Sequence, residues 1–444
     1  MEKQLLMGFG RADMTPPLGV QLTGYGNDDR RPAQNVLDPL YATCLAFTDE
    51  RGETALVYTM DILYAPDWVR PAIAEAVGLD VGRIHISAIH THAGPVYYHT
   101  DVLKEARHYQ DTKLTQAAIQ AAKDALADRK PVEMSTATTY TERLNFVRHY
   151  LMEDGTYSGP NFGNRKIPIK DYESPADNAL QLVKFSRVGG KDVLLANFQV
   201  HQTDTGGMPK LDISADIAGA MRAKMERETD CLFAYFTGAC GNVNPTSRIE
   251  KDKRFSEEEY AQHGQALADC ALAALKDLRP IAGGSVQVRN LHLEAEVNHS
   301  LDHLADKMIP INEIWRATGD RPRCNALAQE LGLNSVYAVE SALAKMKLGK
   351  TLGIDIAVIT AGELAFAIVP YEMFDTNGME VKNGSPFATT IVATCSDMVQ
   401  SYIPSKLGFE HGGYSCDRCR FVPGTAEMLS GQYVRMLTEL HQSV

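Results

Sequence analysis

No apolar run in this chain approaches the roughly 20 residues that span a bilayer, so no transmembrane helix is expected. The first residues, Met1-Glu2-Lys3-Gln4-Leu5-Leu6-Met7-Gly8, lack the apolar core of a secretory signal, which predicts a cytoplasmic protein. Its eight cysteines then count as thiols despite their even number. An excess of positive charge is missing too. The net charge is -12, which argues against nucleic acid as a partner. The one basic knot, Lys251-Asp252-Lys253-Arg254, is short and interrupted, and reads as a solvated turn. An amphipathic anchor rich in tryptophan and lysine is also absent, so no stable membrane insertion is expected. Internal repeats and low-complexity linkers are not found. The CxxC spacing occurs once, in Cys416-Asp417-Arg418-Cys419, with no second pair and no thioredoxin-like setting. Either a redox or zinc pair or two reduced cysteines fits it.

Present instead is ordinary globular usage: 44% apolar and 23% charged residues over 444 positions. That is too long for one small core, although length alone does not separate one elaborated domain from several. Apolar runs at 42–47 and 54–63, split by the turn Asp49-Glu50-Arg51-Gly52, predict a hairpin or adjacent strands. Residues 67–77 read as helix and 83–89 as strand. Across 112–126, Leu114, Ala117, Ala118, Ala121, Ala122, Ala125 and Leu126 recur at helical spacing, so this helix is expected to lie on a sheet. From 142 to 177 the pattern dissolves into Gly, Asn, Pro and charges, too long for an ordinary connection and so a functional-loop candidate.

Strands are predicted at 179–185, 193–200 and 231–236, with a helix at 213–227 between the last two. A helix at 256–275 opens with the capping box Ser256-x-x-Glu259. A strand at 286–297 precedes a helical stretch from 301 to 348, punctuated near Pro322 and Gly332, which reads as a lid or subdomain. Strands at 354–360, 364–369 and 389–393 and a helix at 425–440 close the chain. The expected fold is α/β, with layered mixed sheets flanked by helices, a metal site at strand ends and a helical insertion. No clean boundary divides it, so 1–444 reads as a single catalytic domain.

His90-Thr91-His92 follows the strand-like run at 83–89. Residues two apart in an extended chain share a face, so this run is expected to deliver two imidazoles to one spot. Two hydrogen-bonded histidines in a wet loop would look the same. His201, after the strand at 193–200, offers a further donor. Glu372, in Ile368-Val369-Pro370-Tyr371-Glu372, fits either a metal carboxylate or a first-turn residue of a helix favoured by its dipole.

A family resemblance ties these pieces together. Gly8-Phe9-Gly10-Arg11-Ala12-Asp13-Met14-Thr15-Pro16-Pro17, Thr23-Gly24-Tyr25-Gly26, Asp38-Pro39-Leu40-Tyr41-Ala42, Thr91-His92-Ala93-Gly94-Pro95 and Gly238-Ala239-Cys240-Gly241-Asn242-Val243-Asn244-Pro245 resemble, in order, the amidase domain of the neutral/alkaline non-lysosomal ceramidase family. Pro370-Tyr371-Glu372, Ser401-Tyr402-Ile403-Pro404, Gly412-Gly413-Tyr414 and Arg420-Phe421-Val422-Pro423-Gly424 continue the match. The resemblance implies a zinc-dependent amidase with Zn2+ held by His90, His201, Glu372 and Tyr402. It also implies His92 facing the substrate carbonyl, Tyr414 as a second hydrogen-bond donor and Arg148 lining the site, all three suited to a developing oxyanion. Metal-bound hydroxide would attack the amide carbon.

The chain departs from the family where Asn242 and Asn244 replace the aspartate and serine of a Gly-Asp-Val-Ser-Pro motif, which excludes a serine nucleophile at that point. The metal route is untouched by that change. A small soluble substrate with an acyl or amide bond is therefore expected rather than membrane ceramide. The alternatives are a metal-dependent ester, lactone or phosphoester hydrolase, and a non-catalytic binding protein that keeps the fold. Oligomeric state is not encoded in any feature above.

Overall fold

The computed structural model describes residues 5–25, 31–97, 104–205, 210–249, 260–397 and 401–442. The basic knot at 251–254 and the capping box at 256–259 lie outside the described residues. Two sheets pack face to face, each with helices on its outer side, which is the layered α/β architecture expected from the sequence.

The larger sheet has nine strands among the described residues. Its order is Leu232–Thr237, Val193–Phe198, Ala179–Arg187, Lys130–Tyr140, Leu6–Asp13, Tyr41–Thr48, Thr54–Met60 and Ile84–Ala88, with Arg279–Ile281 added on Lys130–Tyr140. The outermost pair at each end runs parallel and the other pairs are antiparallel. Alternation sorts the side chains. Ala42, Cys44, Ala46, Leu56 and Tyr58 face the helices, while Leu45, Phe47, Ala55 and Val57 face the second sheet.

That second sheet comprises Val286–Glu296, Thr351–Ala361, Leu364–Ile368 and Thr389–Ala393. Phe366 is fully buried between the layers, its ring centroid 6.0 Å from Phe47 and 5.7 Å from Phe236. Truncating such a side chain to alanine costs about 3–5 kcal/mol. Outside the larger sheet, helix Thr115–Ala127 buries Ala117, Ala118, Ala121, Ala122 and Ala125 along one stripe. Outside the smaller, helix Thr425–His441 buries Leu429, Tyr433, Met436 and Leu437. Helices Ala305–Thr318, Arg321–Glu330 and Val336–Lys345 form the insertion, with a core of their own that includes Met308, Ile311, Cys324, Val336 and Val339. Pro322 fits the first turn of its helix, where its missing N–H is not needed, and Asp320 caps that turn.

One sequence expectation fails here. The strand expected at 54–63 ends at Met60, because Asp61 turns away to accept from the Tyr41 amide at 2.8 Å. Residues 142–177, the functional-loop candidate, have structure of their own. They hold the strands Phe146–Val147, Tyr150–Met152, Tyr157–Ser158 and Ile169–Tyr172, each too short to show a period in sequence.

The larger sheet curls until its ends meet. Thr59 Oγ1 donates to the Tyr235 carbonyl at 2.6 Å, and Thr237 Oγ1 donates to the Ile89 carbonyl at 2.7 Å. The loops after Ile84–Ala88 and after Val193–Phe198 therefore arrive at one place from opposite ends of the strand order.

Candidate metal centre

His90 sits beyond the last residue of Ile84–Ala88 with φ 70, a left-handed conformation that non-glycine side chains adopt at a cost of about 1 kcal/mol. Its amide donates to the Ile62 carbonyl at 3.0 Å, and the His92 amide donates to the Gln202 carbonyl at 3.0 Å. The two histidines therefore lie in a turn, not on an extended strand. A pleat would separate two such side chains by about 6.6 Å. The turn brings their Nε2 atoms to 3.4 Å, so the convergence expected from the sequence holds, but by a different geometry.

Backbone carbonyls set the tautomers. His90 Nδ1 donates to the Leu63 carbonyl at 2.9 Å, and His201 Nδ1 donates to those of Cys240 and Val243 at 2.7 and 3.1 Å. A carbonyl only accepts, so each Nδ1 carries the proton and each Nε2 presents its lone pair inward. One nitrogen from each of His90, His92 and His201 lies within 4.8 Å of the others.

Glu372 does not open a helix. It belongs to the short strand Glu372–Met373, paired in parallel with Tyr402–Ile403, and the next helix begins at Asp375. The dipole reading of its position therefore falls. Its Oε2 lies 3.4 Å from His90 Nε2 and 3.1 Å from His201 Nε2, while Tyr64 donates to Oε1 at 3.3 Å. Gly241 lets this strand come close: a Cβ there would stand 2.4 Å from the Glu372 carbonyl oxygen.

Pairing of Phe146–Val147 with Val243–Asn244 carries Arg148 to the same pocket. Its Nη2 donates to the Gly241 carbonyl at 2.8 Å, its Nη1 lies 3.5 Å from His201 Nε2, and its guanidinium stands 5.3 Å from the Tyr402 ring centroid. Tyr414, at the start of the helix Tyr414–Arg418, packs edge-on to Tyr402 at 5.8 Å and to Tyr337 of the helical insertion at 5.7 Å. The His92 ring lies against Gly24, where any Cβ would meet it at 2.6 Å, and edge-on to Tyr25 at 5.0 Å. Its Nδ1 has no hydrogen-bond partner among the described residues.

Charge follows from this packing. Burial opposes ionisation of Glu372, yet His90 and His201 together hold its carboxyl well below the usual range. Burial, and then the neighbouring His90 and His201, push His92 well below an ordinary imidazole. Burial and Arg148 also disfavour a charged His201, but the Cys240 sulfur and the Glu372 carboxylate outweigh them and push it up to about 9. The donor set of two imidazole lone pairs and one buried carboxylate fits a zinc-type divalent cation.

All seven residues expected from the sequence, His90, His92, Arg148, His201, Glu372, Tyr402 and Tyr414, come together. Tyr64 was missed, as were the carbonyls of Leu63, Cys240 and Val243. Nothing in the spacing of Ile62-Leu63-Tyr64 marks them. Asn242 has a structural reason: its side-chain amide exchanges hydrogen bonds with the Asp375 amide and carboxylate at 2.9 and 2.8 Å. An aspartate there would face a second carboxylate. Cys416 and Cys419 are buried, unpaired thiols. Burial pushes both up, Cys419 to about 11.

A buried cluster of histidines and one carboxylate stands at the strand ends, flanked by an arginine and tyrosines, and three of its imidazoles are placed to share a metal ion. The chain belongs to the neutral/alkaline non-lysosomal ceramidase family, whose N-terminal region matches residues 5–239, and with it to the hydrolases of amide bonds. Two solved structures share the fold. The neutral ceramidase from Pseudomonas aeruginosa is 15% identical, with a TM-score of 0.73 over 100% of this chain and 75% of that one. A ceramidase complexed with C2 is likewise 15% identical at TM-score 0.73, over 100% of this chain and 76% of that one. No curated protein sequence matches the chain.

Proposed function

We propose that this protein is a zinc-dependent amidase acting on a small soluble N-acyl compound rather than on membrane ceramide. The observation that carries the reading is the convergence of His90 and His201 Nε2 on Glu372 Oε2, at 3.4 and 3.1 Å, with both Nδ1 atoms engaged by carbonyls. His90, His201, Glu372 and Tyr402 would hold the ion, which supplies Lewis acidity that polarises a carbonyl and lowers the pKa of water toward about 7.

The chain's own residues do the rest. Tyr64 orients Glu372 through Oε1. His92 donates a hydrogen bond to the substrate carbonyl oxygen, and Tyr414 adds a second. Arg148, buried and charged, stabilises the negative charge that grows on that oxygen. Water adds to the carbonyl carbon, the C–N bond breaks, and the amine leaves with a proton that came from the water.

No helix among the described residues is long and apolar enough to cross a membrane. All eight cysteines are unpaired thiols, which suits a cytoplasmic setting. The test is a panel of N-acyl compounds offered to the zinc-loaded protein. Saturable release of free amine is expected, lost on chelation and in His201→Ala. Turnover of esters or phosphoesters without any amide cleavage would overturn the reading.

A further inference from the structure

On the side of the helical insertion, a cavity of about 430 Å³ opens behind the elements that carry Tyr402 and Tyr414. Ser401, which precedes Tyr402, lines it, and so does Arg418, the last residue of the helix Tyr414–Arg418. Its walls also carry Arg316, Lys345 and Arg420, with Glu340 as the only acid. Four cations against one carboxylate is the reverse of the chain as a whole, whose net charge is -12.

Glu340 does not balance them. It is taken by Arg316 at 3.0 Å at the rim, where the Arg316 side chain is 72% exposed. Lys345 is 5% exposed, and its Nζ donates to the Cys419 carbonyl at 3.1 Å. Among the described residues, no carboxylate lies within ion-pair distance of Lys345, Arg418 or Arg420. Buried charges in proteins are ordinarily paired, because an unpaired one forfeits its hydration with no return. Burial accordingly disfavours the charged form of Lys345, against the partial support of Asp417 and Asp302. Arg418 and Arg420 are half-buried, so three cations without an ion-pair partner face one void, a setting that an anion would complete.

We propose that this cavity binds the oxyanion group of a small molecule, a phosphate, sulfate or carboxylate. Guanidinium groups suit it, since their forked N–H donors match oxyanions in bidentate fashion. The volume exceeds a bare inorganic ion and falls in the range of small-ligand pockets, so the anion is carried on a larger body. Two sources share this chemistry: an acidic substituent on the substrate itself, or a separate effector. The Cys416-Asp417-Arg418-Cys419-Arg420 segment thereby gains a role through its arginines instead of its thiols.

The test is calorimetric titration of the full-length, zinc-loaded protein with inorganic phosphate, for the parent and for Arg418→Gln, Arg420→Gln and Glu340→Gln. One saturable site is expected, at least tenfold weaker in each arginine variant and tighter in Glu340→Gln, which frees Arg316. The opposed directions separate loss of the site from loss of folding. Phosphate held at the metal centre would bind equally to all four proteins, and that result overturns the proposal, as does an absence of saturable binding. Kinetics then distinguish the sources. Competition by phosphate against an N-acyl substrate bearing an acid group assigns the site to the substrate, and a change in kcat without competition assigns it to an effector. The binding readout does not depend on amide hydrolysis, so it stands or falls apart from the proposed activity.

Discussion

Among the described residues, two carboxylates each lie between two histidines. Glu372 meets His90 and His201 through Nε2, at 3.4 and 3.1 Å. Glu173 meets His149 and His411 through Nδ1, at 3.4 and 2.7 Å. In the first cluster the Nδ1 atoms of His90 and His201 are spent on backbone carbonyls, so two lone pairs and a carboxylate oxygen point at one spot. In the second, the rings are walled in. His411 stacks on Tyr157 at 3.6 Å, and His149 stands edge-on to Phe162 and Phe374 at 5.3 and 5.6 Å. The same residue types make a cation site only where their second nitrogens are anchored elsewhere and a space remains.

What the second cluster makes is a latch. Glu173 ends the excursion at 142–177, and His411 stands just before the Gly412-Gly413 turn that leads into Tyr414. The Phe162 ring closes on Gly413, where a Cβ would come within 2.7 Å. The latch thus packs beside Arg148 and Tyr414 without touching His90, His201 or Glu372.

The widest gap between the clusters is expected on deleting a donor. His201→Ala should lose stoichiometric zinc, read by elemental analysis, and at least about 10³-fold in amide turnover, while Glu173→Gln keeps its zinc. Next comes His92→Ala, which should retain zinc and lose about 10²- to 10³-fold in kcat, the range for one oxyanion donor. Loss of zinc in that variant would move His92 into the ligand set and sharpen the comparison differently.

Smaller, and thermodynamic, is the effect of breaking the latch. Glu173→Gln should cost about 1–3 kcal/mol near neutral pH, measured by denaturant unfolding. Burial pushes the Glu173 carboxyl up, but hydrogen bonds and charge from His149 and His411 outweigh it and hold it below its ordinary 4.5. A depressed carboxyl stabilises the fold above its unfolded value, and that contribution is lost as pH falls through the folded one. The difference between parent and variant should therefore shrink below about pH 4.5. A pH-independent difference would show that the histidines do not act on Glu173. Smallest of all, Cys416→Ala should leave zinc content unchanged and turnover within about twofold, as for a buried thiol that donates only to the Gly408 carbonyl.

Legibility differed by element for physical reasons. Strands with regular large apolar residues, such as Val193–Phe198, and helices with one stripe, such as Thr115–Ala127, stood out. Three strands of the large sheet did not, the three-residue Arg279–Ile281 being too short to show a period. Leu6–Asp13 carries Gly8 and Gly10, which let the Ala-rich helix approach so closely that Cβ atoms would meet its carbonyls at about 2 Å. Lys130–Tyr140 is rich in Ser and Thr and buries only Met134 and Ala137. The seven residues that converge on the pocket were legible because short motifs carry them, and Tyr64, which has none, was not.

The sequence alone determined the layered α/β class, the order of elements and which side chains could serve chemistry, because periodicity and motif are local properties. Tertiary structure decided the rest. Histidines from opposite ends of the strand order meet only because the sheet curls, and Glu372 reaches them only through its pairing with Tyr402–Ile403. Whether an imidazole becomes a ligand or a latch depends on which carbonyl or carboxylate takes its other nitrogen, and that is set by distances across the fold that no run of neighbouring residues encodes.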